Sequence, residues 1–123
     1  MSTILMSIKP EYVEKIFNGT KKYEYRKKKC KKNIDKIIVY STSPIKKIVG
    51  ELEIETVLVS SKNIIWEKTN LFGGIEKEKY FQYFNNQDIA VAYKIKSYKL
   101  YEKEKDLIDL NITVPPQSYV YIK

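Results

Sequence analysis

Gly19-Thr20-Lys21-Lys22-Tyr23-Glu24-Tyr25-Arg26 reads as a turn that leaves a short helix and enters a β-strand. Arg26 is the only arginine in a chain whose other basic residues are all lysine. It follows Glu24 by two positions. Side chains alternate along a strand, so Glu24 and Arg26 share one face about 7 Å apart, while Tyr23 and Tyr25 point the other way. Lys21, in the turn after Gly19, lies within reach of both. A carboxylate, a planar guanidinium and a mobile ammonium converge on one mouth. Two readings fit this spacing: a cluster that reads a ligand, or a surface ion-pair network on a half-exposed strand.

Upstream, Thr3 to Ile8 reads as a strand, and Lys9-Pro10 opens a helix with proline at its first position and Glu11 and Glu14 near its positive end. Tyr12, Val13, Ile16 and Phe17 form one apolar stripe, Glu11 and Lys15 make an i,i+4 pair, and Gly19 caps the helix in the left-handed region. Downstream comes the basic run Lys27, Lys28, Lys29, Lys31 and Lys32, interrupted by Cys30. Such a run cannot be buried. It is either a solubilising face or a rim that tracks phosphates.

Ile34 to Tyr40 is a buried strand closed by the hydroxyl-rich turn Ser41-Thr42-Ser43-Pro44. Ile48 to Val59 alternates, with Leu52, Ile54 and Leu58 on one side and Glu51, Glu53 and Glu55 on the other. Gly50 marks a bulge or bend near its start. Two short helices follow, Asn63 to Thr69 and Glu76 to Phe84, separated by Gly73-Gly74. Tyr80, Phe81 and Phe84 share one helical face and read as core. Ile89 to Leu100 is the longest strand, with Ile89, Val91, Tyr93 and Ile95 opposite Ala90, Ala92, Lys94 and Lys96. A short turn or single helical turn at Asp106 to Leu110 and then Pro115-Pro116 deliver the chain into a last strand, Ser118 to Ile122. The order β-α-β-β-β-α-α-β-β favours an α+β domain, a small, mostly antiparallel sheet curled into a barrel with helices at its ends.

At 123 residues, 43% hydrophobic, the chain suits one domain over 1–123 with a single core. Its apolar runs are too short to span a bilayer, and no basic-then-apolar leader opens it, so a cytoplasmic protein is expected. A lone cysteine excludes an intrachain disulfide and a cysteine-rich zinc site. The absence of histidine excludes serine–histidine and cysteine–histidine catalysis and ordinary zinc or non-haem iron centres. Acid–base chemistry would fall to Lys, Glu, Asp or Tyr. No metal and no cofactor is expected. The net charge of +8 points to a polyanionic partner, although an AT-rich genome also enriches lysine, isoleucine, asparagine and tyrosine.

Gly19-x-Lys21-x-x-Glu24-x-Arg26 resembles the G-x-K-x-x-E-x-R signature of ASCH domains, a branch of the PUA-like superfamily. Ser7-Ile8-Lys9-Pro10, Tyr40-Ser41-Thr42-Ser43-Pro44 before Ile48-Val49-Gly50-Glu51, and Pro115-Pro116-Gln117-Ser118-Tyr119 are similar to neighbouring family features and occur in the family's order. The resemblance implies a PUA-like β-barrel of five to six strands with two to three short helices. A cleft beside the first helix would be lined by Lys21, Glu24 and Arg26. It also implies binding of RNA or modified nucleotides, in some members with a regulatory role. One branch of the family deacylates an acetylated cytidine through a threonine three residues after the signature lysine. That position is Glu24 here, so this activity does not carry over. Another member cuts single-stranded RNA.

In such a cleft Glu24 can accept from an exocyclic amine, Arg26 can bond a ring acceptor or phosphate, and Lys21 can hold Glu24 ionised or contact a phosphate. Ser41 and Ser43 lend hydroxyls if their loop folds toward the mouth, or else only cap a turn. Lys9 stands at the helix start. Gln117 and Ser118 close the cleft or satisfy backbone. The expected function is binding of single-stranded RNA or a nucleotide by a monomer or weak dimer. The alternatives are a metal-independent ribonuclease or hydrolase with Lys21 and Glu24 as its base and acid, and a module that docks an acidic protein.

Overall fold

Six strands and three helices emerge in a computed structural model that describes residues 1–122. In chain order they are β1 (Ser2–Ile8), α1 (Pro10–Phe17), β2 (Tyr23–Arg26), β3 (Ile34–Ser41), β4 (Lys47–Ser61), α2 (Lys62–Thr69), α3 (Lys77–Tyr83), β5 (Ile89–Lys105) and β6 (Tyr119–Ile122). Each boundary lies within a few residues of a local signal in the sequence. Pro10 opens α1, Gly19 reverses the chain after it at φ 85°, and the Ser61 hydroxyl accepts from the Ile64 amide to cap α2.

The strands form one mixed sheet in the order β2-β5-β4-β3-β1-β6. Four of its five pairings are antiparallel, and β1 runs parallel to β3. Six strands, three helices and an α+β fold match expectation; a closed, hydrogen-bonded barrel does not. β2 and β6 are the two ends of the order, with no ladder between them among the described residues. The physical reason is non-local. β2 has only four residues, and it adds to the far edge through β5 instead of pairing with its chain neighbours β1 or β3.

The main core lies where α1 meets the sheet. Val13 and Ile16 of α1 pack with Ile4, Met6 and Ile8 of β1, Ile37 and Val39 of β3, and Leu52 and Ile54 of β4. Burying side chains of this size contributes about 1.5–3 kcal/mol each before chain entropy is counted. α2 and α3 cover a second cluster of Tyr25, Ile65, Tyr80, Phe84, Ala90 and Ala92. The aromatic face expected to be core is core: Tyr80 and Phe84 are fully buried, with Phe81 packed beside them.

One strand reading needs correction. In β4 the register shifts around Glu55, so Val57 joins the main core and Leu58 joins the second cluster, which ends the expected alternation. An inserted residue moves every later side chain to the other face. In β5 the alternation holds over Ala90 to Tyr93, and both faces are buried: Val91 and Tyr93 face the main core, and Ala90 and Ala92 face the cluster covered by the helices. A second register shift next to Gly50 agrees with the bulge read there. A Cβ at Gly50 would lie 2.4 Å from the Lys99 carbonyl oxygen, so the ladder needs glycine at this point.

Candidate functional site

Lys21 is aimed inward by the turn that precedes it. After Gly19 the amides of Thr20 and Lys21 both donate to the Lys15 carbonyl, at 3.1 and 3.0 Å. The Lys22 amide donates to the Phe72 carbonyl at 2.7 Å, and the Lys22 carbonyl accepts from the Ile95 amide at 2.9 Å. With the backbone held on both sides, the Lys21 side chain has one direction left. It is 3% exposed. Its ammonium donates to the Gly73 carbonyl and lies 5.1 and 4.9 Å from the ring centroids of Tyr12 and Tyr25. Two tyrosine faces stabilise a cation there that water does not reach.

Glu24 is 5% exposed and stands between two cations. Arg26 Nη2 donates to its Oε2 at 2.8 Å, and Lys21 Nζ lies 3.6 Å from Oε1. The surface ion-pair network read as one option is therefore not what forms. The cluster is buried, because the Gly73-Gly74 turn closes on Lys21 and Tyr25 and α3 forms part of the same cavity wall. Burial, the largest influence, pushes the Lys21 ammonium below its usual range, against the opposing charge of Glu24; the positive charges of Arg26 and Lys15 add to the lowering. The two glycines do more than break the chain. Gly74 has φ 66°, and a Cβ there would meet the Lys21 side chain at 2.7 Å, while one at Gly73 would meet the Tyr25 hydroxyl at 2.3 Å.

Arg26 is a clamp as well as an ion-pair partner. Nη2 also donates to the Ser7 carbonyl at 2.9 Å, and Nη1 donates to the Ser118 hydroxyl at 3.4 Å. It thus ties edge strand β2 to the end of β1 and to the residue before β6, across the gap the backbone leaves open. Its Nε is buried without a partner among the described residues.

These groups line a cavity of about 580 Å³. Its wall comes from Lys9, Glu11 and Tyr12 near the start of α1, Lys79, Gln82 and Tyr83 of α3, and Thr42 and Gln117 from two loops. Burial raises the hydroxyl pKa of Tyr12 and of Tyr83, so both are neutral donors at pH 7. Tyr25 lines the cavity too, although alternation placed it on the other face. Its hydroxyl shares a hydrogen bond with Thr69 at 2.7 Å, and burial pushes its pKa up to about 12.

Lys9, Lys21, Glu24 and Arg26 are brought together as expected. Ser41 and Ser43 are not. Ser41 ends the parallel ladder opposite Ile8 and is buried, and Ser43 is exposed in the turn; Thr42 between them lines the cavity. Lys27, Lys28, Lys29, Lys31 and Lys32 are exposed and lie outside it. Lys27 comes nearest, its ammonium 4.9 Å from the ring centroid of Tyr83. Glu11 pairs at 4.0 Å with Lys79 across the mouth instead of with Lys15, whose ammonium donates to the Gly74 carbonyl at 3.1 Å. Tyr12, Thr42, Lys79, Gln82 and Tyr83 were missed as site residues. Lys79, Gln82 and Tyr83 recur at i, i+3 and i+4, a second stripe beside the aromatic one, and that spacing was the available signal.

The profile of the ASCH domain matches residues 6–105. The chain is 34% identical over 122 residues to a protein of Ureaplasma parvum named ATP synthase subunit alpha, and 33% identical over 122 residues to one named large ribosomal subunit protein uL22. Both alignments cover 98% of this chain, which spans 15% and 39% of those relatives' lengths. An ASCH domain-containing ribonuclease of Zymomonas mobilis is 23% identical over 96 residues, 77% of this chain and 65% of that protein. The crystal structure of ASCH from Zymomonas mobilis superposes with a TM-score of 0.89 at 23% identity, covering 99% of this chain and 88% of that one. That likeness shows the fold.

Proposed function

The chain belongs to the ASCH domain family, and from that premise we propose that it binds single-stranded RNA by seating one nucleotide in the cavity, with the base edge toward Glu24. The observation that carries this reading is the placing of Glu24. A carboxylate held between Lys21 and Arg26 lines a cavity large enough for a nucleoside, with tyrosine rings on its wall. A carboxylate has about four lone-pair positions, and two are addressed by the cations, so acceptor capacity remains for an amine-bearing base. Stacking on an aromatic ring is worth about 1–3 kcal/mol per base, and only an unpaired base offers its face to Tyr12 or Tyr83.

Titration of a panel of nucleosides and short single-stranded oligonucleotides tests this. Saturable binding with a preference among bases, weakened by Tyr83→Ala, is expected. Equal affinity for every sequence and for an unrelated polyanion would sink it.

A second reading, RNA cleavage, is favoured by the lowered pKa of Lys21 beside a carboxylate in the same cavity. Attack by a 2′-hydroxyl needs an acid, a base and charge stabilisation, all of which this cluster can supply. The relative named as a ribonuclease supports the same reading. Incubation of labelled single-stranded RNA with the protein and a chelator decides it. Product that disappears with Lys21→Met means cleavage, and intact RNA at saturating protein means binding alone.

A further inference from the structure

Four cations line the cavity, and three are already engaged: Lys21 and Arg26 by Glu24, at 3.6 and 2.8 Å, and Lys79 by Glu11, at 4.0 Å. Lys9 is the one lining cation without an acidic partner among the described residues. The backbone brings two further polar side chains to its end of the cavity. The Thr42 amide donates to the Ile8 carbonyl at 3.0 Å, which fixes Thr42 next to Lys9. Ser7 holds the loop around Gln117 from both sides: its hydroxyl donates to the Pro116 carbonyl at 2.7 Å, and its amide donates to the Ser118 carbonyl at 2.9 Å. The segments that carry Lys9, Thr42 and Gln117 are therefore gathered at the C-terminal end of β1, and all three residues line the cavity.

We infer that Lys9, Thr42 and Gln117 form a phosphate subsite, so that the ligand unit of this cavity is a nucleotide and not a bare nucleoside. The inference rests on the nucleotide-binding reading above and adds the place of the phosphate. An ammonium, a hydroxyl and an amide are all donors, and a phosphate's oxygens accept from each. The floor of the cavity offers a carboxylate, which rejects a phosphate and attracts an amine. Glu11, on the same wall as Lys9, is paired with Lys79, so one end is left to suit an anion and the other a base edge. Lys9 and Gln117 are exposed, so the phosphate would sit at the rim, where a strand continues into solvent.

The test is calorimetric titration of nucleosides, their 5′- and 3′-monophosphates and inorganic phosphate at one ionic strength, with wild type, Lys9→Gln and Thr42→Val. A charge-assisted hydrogen bond should make the monophosphate bind about tenfold tighter than the nucleoside or better. In Lys9→Gln that gain should collapse while the nucleoside still binds, and Thr42→Val should remove part of it. Whichever of the 5′- and 3′-phosphates shows the gain gives the direction of the strand. Two outcomes overturn the inference: monophosphates no tighter than nucleosides, or a gain that persists in Lys9→Gln. If monophosphates bind through Lys9 while no base preference appears, the subsite stands and the base-reading proposal falls. If neither nucleosides nor monophosphates bind, both fall. The Lys9 carbonyl accepts from the Tyr12 and Val13 amides at 3.0 Å, which Gln preserves, and its exposed side chain has no hydrogen bond or ion pair among the described residues, so the melting temperature of Lys9→Gln should be unchanged.

Discussion

Glu24 carries more than the spacing of its neighbours suggests. Taken as a rim carboxylate, it would contribute at most about 1 kcal/mol through its pair with Arg26. At 5% exposure between two cations, its removal leaves Lys21 buried without its counter-charge, which costs about 3–5 kcal/mol. Glu24→Gln should therefore lower the denaturation midpoint markedly, and unchanged stability would mean that water reaches the cluster. Lys21 makes a pH prediction. Its folded pKa lies below its ordinary value of 10.5, so between the two the unfolded chain binds more protons than the folded one. Stability from this group must then rise with pH through that window, the reverse of a lysine that gains a partner. Above pH 10 Tyr25, pushed up to about 12, acts oppositely, because the unfolded chain loses its proton first. The stability of wild type relative to Lys21→Met should therefore rise as pH climbs toward 10.5. A constant gap over that range would show that Lys21 keeps its charge without penalty.

At the scale of elements, the site depends on how closely the Gly73-Gly74 turn approaches the turn before β2. Gly74 is in the left-handed region and touches the Lys21 stem, so Gly74→Ala meets two penalties at once. The backbone term alone is about 1–2 kcal/mol, and the contact with a buried side chain adds to it. We expect a loss of stability together with weaker ligand binding, read by thermal melting and titration on the same sample. Normal binding with normal stability would show that the turn is free to move aside. α3 works in the same way as a two-sided element. One stripe, Tyr80 and Phe84, is buried, and the other, Lys79, Gln82 and Tyr83, faces the cavity. Packing of the first sets the position of the second.

For the whole molecule the decisive contact is Arg26 across the open seam between β2 and β6. Lysine at this position keeps the charge but loses the planar fork that reaches Glu24, Ser7 and Ser118 together. Arg26→Lys should speed hydrogen exchange of β2 and β6 amides while β3 and β4 stay protected. Uniform protection across all six strands would show that the seam holds without it. The lysine run is exposed and lies outside the cavity, so under the proposed reading it meets only phosphates that flank a seated nucleotide. Changing two or three of Lys27 to Lys32 to serine should weaken all single-stranded sequences alike and flatten the slope of log affinity against log salt by about 0.7 per lost contact. A change in base preference would contradict that placing.

What the sequence determined by itself is local. Most strand and helix boundaries, the cap at Gly19, the bulge at Gly50 and the inward face of α1 follow from periodicity, proline and glycine, because these act over a few residues. The end of β5 does not, since the strand runs past Leu100 to Lys105. The Lys21, Glu24 and Arg26 convergence was legible for the same reason, since all three lie within one turn and one strand. Its burial was not. Lys21 reaches a carbonyl 52 residues away and Arg26 a hydroxyl 92 residues away, and no period in a single sequence encodes such pairs. The parallel pairing of β1 with β3, the placing of β2 beside β5 and the choice of Thr42 over Ser41 and Ser43 were decided in the same way. Each depends on which distant segments share the core, and only the tertiary structure, by burying them together, makes one arrangement lower in free energy than the rest.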